Sequence, residues 1–150
     1  MIEIRAVTDD DGRIAQPDWL ARAESVHRQL RPGLPEDYAG RMRAIFAGGG
    51  RMTLALLEGR PAGVAVWRLL LKTSAGLELY VDDLVTDETR RSAGVGATLL
   101  QYLERCARER GCALLSLDSG TQRHRAHRFY FREGMAASAF HFTKPLTPPQ

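Results

Sequence analysis

The chain predicts an α/β fold: a mixed central β-sheet flanked by helices, in the order β-α-α-β-β-β-α-β-α-β. Three observations carry this. Apolar runs of strand length are separated by turn residues, as at Glu58-Gly59-Arg60-Pro61, a hairpin signal. Apolar stripes at helical spacing recur between them. The 150 residues suit one domain with a single sizeable core. No internal repeat or interdomain linker is visible, so 1–144 is read as one domain and 145–150 as a frayed tail.

In chain order, Ile2, Ile4 and Ala6 alternate with Glu3 and Arg5 and read as a strand. Trp19, Ala23, Val26 and Leu30 form the stripe of a first helix, stopped by Arg31-Pro32-Gly33. Pro35 can open a second helix at its first position, with Tyr38, Met42, Ile45 and Phe46 as its stripe and Gly48-Gly49-Gly50 as its end. Strands follow over 51–58, 62–72 and 76–86, with a turn at Ser74-Ala75-Gly76 before the third. A helix from Gly94 to Arg110 carries Val95, Leu99, Leu103 and Cys106 on one face, widened by Leu100 and Ala107, and Gln101, Glu104, Arg105 and Arg108 on the other. Gly111 stops it. Cys112 to Leu117 reads as a short strand buried on both faces. Thr121 is the expected cap of a helix reaching Arg132 or Glu133, closed by Gly134, and a last strand is expected over 136–144.

Composition narrows the function classes. No stretch approaches the ~20 apolar residues of a membrane span, and the N-terminus lacks a signal-peptide layout. The expectation is a cytoplasmic protein with no membrane partner. The formal net charge is +3, nearly all the basic residues being arginine, and the only lysines are Lys72 and Lys144. A mildly basic surface suits an anionic ligand without requiring one. Acids interspersed among the arginines argue against a nucleic-acid partner. Cys106 and Cys112 lack metal-ligand spacing and read as reduced core thiols.

Residues 91–96, Arg-Ser-Ala-Gly-Val-Gly, open a helix with two glycines. A P-loop would need a lysine, and none is near. A G-x-G-x-x-G fingerprint fails because Leu99 stands at its third glycine. The pattern R/Q-x-x-G-x-G/A fits. The first N–H groups of a helix lack internal partners and can cradle a pyrophosphate with help from the helix dipole, while glycine lets the backbone approach closely. By itself the hexapeptide is equally readable as a flexible strand-to-helix turn.

The flanks decide. The stretch LYVDDLVTDETRRSAGVGATLL resembles the central signature of the GCN5-related N-acetyltransferase (GNAT) superfamily. HRFYFREGM resembles its next one, A-x-x-F-Y-x-x-x-G-[FM], through Ala126, Phe129, Tyr130, Gly134 and Met135. The resemblance covers residues 76–135 well and the N-terminal half only in its order of elements. It implies a GNAT fold that binds acetyl-CoA as acyl donor. The pantetheine arm would pair with backbone at Leu84, Val85 and Thr86. The pyrophosphate would meet the turn formed by Arg91, Ser92, Ala93, Gly94, Val95, Gly96 and Ala97. Many members carry asparagine where this chain has Arg123; arginine there can reach a phosphate or a substrate carboxylate, or simply lie in solvent.

For the chemistry, Tyr130 matches the tyrosine that protonates the CoA sulfur in the family. On strand 76–86, Leu77, Leu79 and Val81 share one face, and Glu78, Tyr80 and Asp82 the other. A carboxylate on that polar face can take the amine proton directly or through water; Asp82 is the candidate base, the alternative being a carboxylate that orders a neighbouring loop or pairs with an arginine. Asp83 falls on the apolar face and reads as structural. Glu78 and Tyr80 are candidate acceptor-site residues. Two carboxylates there would favour a small cationic amine, whereas Arg31, in the join between the first two helices, could hold a carboxylate and so favour an amino acid or peptide amine. His124 and His127 lack a third ligand, and no metal is expected. Arg125, Arg128 and Arg132 read as a solvated helix face. His141 could face the acceptor or solvent. The predicted activity is transfer of acetyl from acetyl-CoA to an amine. The rival is a non-catalytic acyl-CoA sensor or regulatory subunit, against which retention of both Tyr130 and Asp82 argues. A homodimer is left open.

Overall fold

The computed structural model describes residues 1–148. They divide into two compact units, Met1–Leu117 and a second beginning at Asp118. The first holds β1 (Ile2–Ala6), α1 (Pro17–Leu30), α2 (Tyr38–Ala47), β2 (Arg51–Leu57), β3 (Arg60–Lys72), β4 (Gly76–Thr86), α3 (Val95–Glu109) and β5 (Leu114–Leu117). A single 3₁₀ turn, Glu88–Arg90, lies between β4 and α3. The second unit holds α4 (His124–Arg132).

The sheet order is β1-β2-β3-β4-β5. Its first four strands are antiparallel neighbours, and β5 joins β4 in parallel after the α3 crossover. The mixed sheet is therefore as expected. Each face has its own core. On one, Leu20, Ala23 and Val26 of α1 and Tyr38, Met42 and Phe46 of α2 pack on Met52, Leu54, Val64 and Val66. On the other, Val95, Leu99, Leu103 and Cys106 of α3 pack on Ala65, Trp67, Leu79 and Val81. Burying each large side chain contributes roughly 1.5–3 kcal/mol. Gly63 lets α3 approach so closely, since a Cβ there would stand 2.6 Å from Val95 Cγ1 and 2.8 Å from Leu99 Cδ1.

Several boundaries differ from expectation. α2 opens at Tyr38 rather than Pro35, because the Asp37 carboxylate caps it by accepting the Gly40 N–H at 2.9 Å. Pro35 instead belongs to a pinned connection: Arg28 donates to the Leu34 carbonyl at 2.6 Å and to the Pro35 carbonyl at 2.7 Å. β5 begins at Leu114, since the Cys112 N–H closes α3 onto the Ala107 carbonyl. It is an edge strand with Leu114 exposed at 48 %, not a strand buried on both faces. α4 has Arg123 rather than Thr121 at its N-cap, without a side-chain cap.

The expected last strand is absent. From Ala136 to Lys144 the backbone joins no ladder among the described residues, and Phe140 and Phe142 are exposed at 88 % and 91 %. Alternation specifies a strand-compatible segment, but a strand exists only where a partner meets its N–H and C=O groups. The segment continues without regular structure to residue 148, so the tail expected at 145–150 lies partly outside the described residues. No helix among the described residues is long and apolar enough to cross a membrane. Both cysteines are free.

Candidate active site

The site is built on β4. Its register against β3 steps from Val66–Asp83 to Trp67–Val81, so Asp82 is an extra residue, a β-bulge. The bulge resets the alternation. Asp83 lies opposite Val66, which belongs to the core beneath α1 and α2, while Val81 belongs to the core beneath α3. Asp82 and Asp83 therefore face the same side. This corrects the strict-alternation reading, which put Asp83 on the apolar face.

Asp83 has two ties. His27 of α1, 1 % exposed, donates from Nε2 to Asp83 Oδ2 at 2.7 Å and accepts the Tyr38 hydroxyl at Nδ1 at 2.8 Å, in the tautomer an ionised Asp83 selects. Arg31, at the C-cap of α1, donates from Nε to Asp83 Oδ1 at 2.8 Å and from Nη2 to the Asp82 carbonyl at 3.3 Å. Burial pushes the Asp83 carboxyl up, but the hydrogen bonds from His27 and Arg31 and the charge of Arg31 outweigh it and hold the carboxyl below its ordinary value. Burial, aided by Glu24 and Asp83, holds the Tyr38 hydroxyl far above its ordinary value, so it remains a donor.

The other acids on this face are also paired. Arg68 of β3 donates from Nε to both Asp82 oxygens at 3.0 Å and pairs with Oδ2 through Nη2. Glu78, 3 % exposed, accepts the Ser116 hydroxyl at 3.2 Å. Lys72 pairs with its Oε1 as an ion pair rather than a directed hydrogen bond. Glu78 is thus a buried, neutralised carboxylate, and the uncompensated acidic pocket expected to attract a cation is not present. Tyr80 lies across from Arg68 in the β3–β4 register.

Past the bulge, β4 loses a neighbour. The β4–β5 ladder ends at Val81–Leu117, so Asp82 to Thr86 has β3 alongside but not β5. Leu84 and Val85 contribute to opposite cores. Beyond Thr86, the Asp87 carboxylate caps the 3₁₀ turn through the Thr89 N–H at 3.1 Å. The glycine turn follows, with Arg91, Ser92, Ala93 and Gly94 exposed. Ser92 and Gly94 take left-handed φ values of 69° and 83°. Gly94 is the α3 N-cap, with no side-chain cap and no acid in the first turn. Gly96 and Ala97 lie within that first turn. The leading amides of α3 thus lack a side-chain acceptor.

In the second unit, Tyr130 is half-buried on α4. Burial raises its hydroxyl above the ordinary tyrosine value, and the charge of Arg123 opposes this. His127 Nε2 donates to the Gly120 carbonyl at 2.8 Å. His141 Nδ1 stands 3.5 Å from Asp118 Oδ2. Two cavities of about 210 and 340 Å³ in the first unit are lined around Trp67, Tyr102 and Arg110 and around Arg22, Arg60 and Arg90. Neither includes Asp82 or Asp83.

Sequence reasoning missed His27, Arg68, Lys72 and Ser116, and counted Tyr38 only as core. His27 had a signal: it is a polar residue beside Val26 on the apolar stripe of α1. The others become partners only through strand register.

The pairing yields a pH prediction. A carboxyl held low contributes stability in full above its unfolded value of about 3.9, and loses it as pH falls through the depressed one. Asp83→Asn strands His27 and Arg31 and should cost about 3 kcal/mol at pH 7. In urea unfolding, the gap from the wild type should shrink by pH 3. An equal gap at both pH values would contradict the ion-pair account.

Comparison with known proteins agrees with this architecture. The family model described as Acetyltransferase (GNAT) family matches residues 15–135. An uncharacterized N-acetyltransferase of Bacillus subtilis (strain 168), YhdJ, is 34 % identical over 150 residues, covering 97 % of this chain and 100 % of the relative. The aminoalkylphosphonate N-acetyltransferase of Salmonella typhimurium is 41 % identical over 66 residues, 44 % of this chain and 43 % of that protein. Among solved structures, the aminoglycoside N-acetyltransferase AAC(6')-Iy in complex with CoA superimposes with a TM-score of 0.80 at 16 % identity, covering 98 % of this chain and 96 % of that one. With the family match spanning most of its length, the chain belongs to the GNAT acetyltransferase family.

Proposed function

We propose that this acetyltransferase moves acetyl from acetyl-CoA to the nitrogen of a small amine, amino acid or peptide amine, by direct attack on the thioester. One observation carries the reading: the strand edge without β5 at Asp82–Thr86 runs, through a 3₁₀ turn, into a helix N-terminus that no side chain caps. An extended amide-bearing arm with an anionic end matches both halves. Its amides pair with Leu84, Val85 and Thr86. Its pyrophosphate takes the amides from Arg91 to Ala97, favoured by the helix dipole. That a related fold binds CoA supports the assignment.

In this scheme the amine nitrogen attacks the thioester carbonyl. Backbone N–H near Val85 stabilises the oxyanion, and collapse breaks the C–S bond. Arg68 pairs with both Asp82 oxygens and so weakens the carboxylate as a base; the amine proton therefore leaves through a water held beside Asp82. Tyr130 donates its proton to the departing thiolate and is reprotonated from solvent. Thiol and tyrosine differ by about 1.5 units at their ordinary values, an uphill transfer of roughly 2 kcal/mol. The raised Tyr130 value enlarges this somewhat and keeps the hydroxyl protonated at neutral pH. The cost stays small beside enzymatic barrier reductions of about 8 kcal/mol or more. Tyr80 borders the acceptor, and Arg123 assists at a phosphate or substrate carboxylate. The scheme closes on proton transfers and one acyl transfer and invokes no metal. Residues 1–144 are read as one acetyltransferase domain, supported by a family match over residues 15–135. Two free thiols suit a reducing cytoplasm.

Thiol release from acetyl-CoA across a panel of amines tests the activity. Gly96→Asp puts a carboxylate in the first turn of α3 and should weaken acetyl-CoA binding about tenfold or more, roughly 1.4 kcal/mol; unchanged affinity by calorimetry in a folded variant would remove that site. Tyr130→Phe should lower kcat about 10²-fold with little change in acetyl-CoA affinity. Near-normal turnover where chemistry limits the rate would reduce Tyr130 to packing.

A further inference from the structure

The polar face beyond α1 is self-neutralised. Its three carboxylates each have their own cation: Asp83 has Arg31, Asp82 has Arg68 and Glu78 has Lys72. Such a face has little net field to draw in a plain cation. It offers closely alternating signs instead, complementary to a ligand that carries both.

Arg31 is the cation best presented. Its side chain is 49 % exposed. Nε and Nη2 are engaged by Asp83 and the Asp82 carbonyl, which leaves Nη1 on the outer edge of the fork. Its anchor is itself anchored, because Asp83 is tied to His27 and His27 to Tyr38. The connection after Arg31 is pinned by Arg28 on the carbonyls of Leu34 and Pro35. The guanidinium is therefore oriented before any ligand arrives, which lowers the ordering cost of binding, and a planar fork suits a carboxylate or phosphonate. Asp82 lies next to it in the bulge; its Oδ1 accepts from Arg68 Nε and has a second lone pair to offer an ammonium.

We infer that the acceptor is a small zwitterion, its amine directed to Asp82 and its anionic group to Arg31. Arg31 then determines specificity, with the acidic end of the substrate and not its amine as the main recognition element. The inference rests on the acetyl-transfer reading above and narrows its acceptor.

The test compares glycine, β-alanine, 4-aminobutyrate, aminomethylphosphonate and 2-aminoethylphosphonate with methylamine, ethylamine and propylamine, by thiol release from acetyl-CoA. Acetyl-CoA binding is measured alongside by calorimetry. At least one acid-bearing amine should exceed its bare analogue about tenfold or more in kcat/KM, and the carboxylate and phosphonate arms report which anion is preferred. Arg31→Gln should collapse that preference through KM, and Arg31→Lys should retain part of it. Bare amines reacting as well as the acids would overturn the inference, as would a proportional loss on both series in Arg31→Gln. The wild-type preference needs no variant, so a misfolded Arg31→Gln does not rescue the idea. If acetyl-CoA binds but no small amine reacts, the zwitterion assignment fails while the cofactor site stands. If acetyl-CoA does not bind, the acetyl-transfer reading itself fails.

Discussion

One extra residue in β4 organises the working face of this molecule. Without the bulge at Asp82, Asp83 would point into the apolar core beneath α3, where an ionised carboxylate without a partner costs several kcal/mol. With it, Asp83 meets His27 and Arg31, and α1 is tied to the sheet at the point where β4 separates from β5. Bulges bend a strand and re-aim its side chains. Here the consequence is a single place where an unpaired backbone edge, two carboxylates and the end of α1 converge.

Two adjacent carboxylates on one face would ordinarily repel and raise each other's pKa. Asp83 instead lies below its ordinary value, because its hydrogen bonds to His27 and Arg31 and the charge of Arg31 exceed the effect of burial. The same rule runs along the strand through Arg68 and Lys72. Electrostatic demand is met locally, side chain by side chain, on this face. At the glycine turn it is not: α3 begins with no side-chain acceptor and no acid in its first turn. A helix start carries about half a positive charge, so the turn is where the first unit remains ready for an anion. The contrast separates a self-neutralised sheet face from a helix start whose partial positive charge no side chain offsets.

Much of this was legible in sequence. Helical stripes gave α1 and α3 to within a residue or two, and the hairpin at Glu58–Pro61 placed β2 and β3. The two family signatures named the fold through residues 91–96 and 126–135. Period-two counting failed at Asp82–Asp83, because a bulge is a property of pairing register and nothing in Tyr-Val-Asp-Asp-Leu marks the extra residue. It failed for the acidic pocket because Lys72 and Arg68 become partners of Glu78 and Asp82 only once β3 and β4 are in register. It failed at 136–144 because alternation says nothing about whether an edge receives the segment. His27 was readable in principle, as a polar side chain on an apolar stripe.

The central claim is that the unpaired edge of β4 and the uncapped start of α3 together form the acetyl-CoA site. Hydrogen–deuterium exchange on the protein with and without acetyl-CoA tests it directly, with no acceptor needed. The account expects new protection at the amides of residues 82–86 and 91–97, with β1 and β2 unchanged. Protection confined to other segments, or none at a saturating concentration, would contradict it.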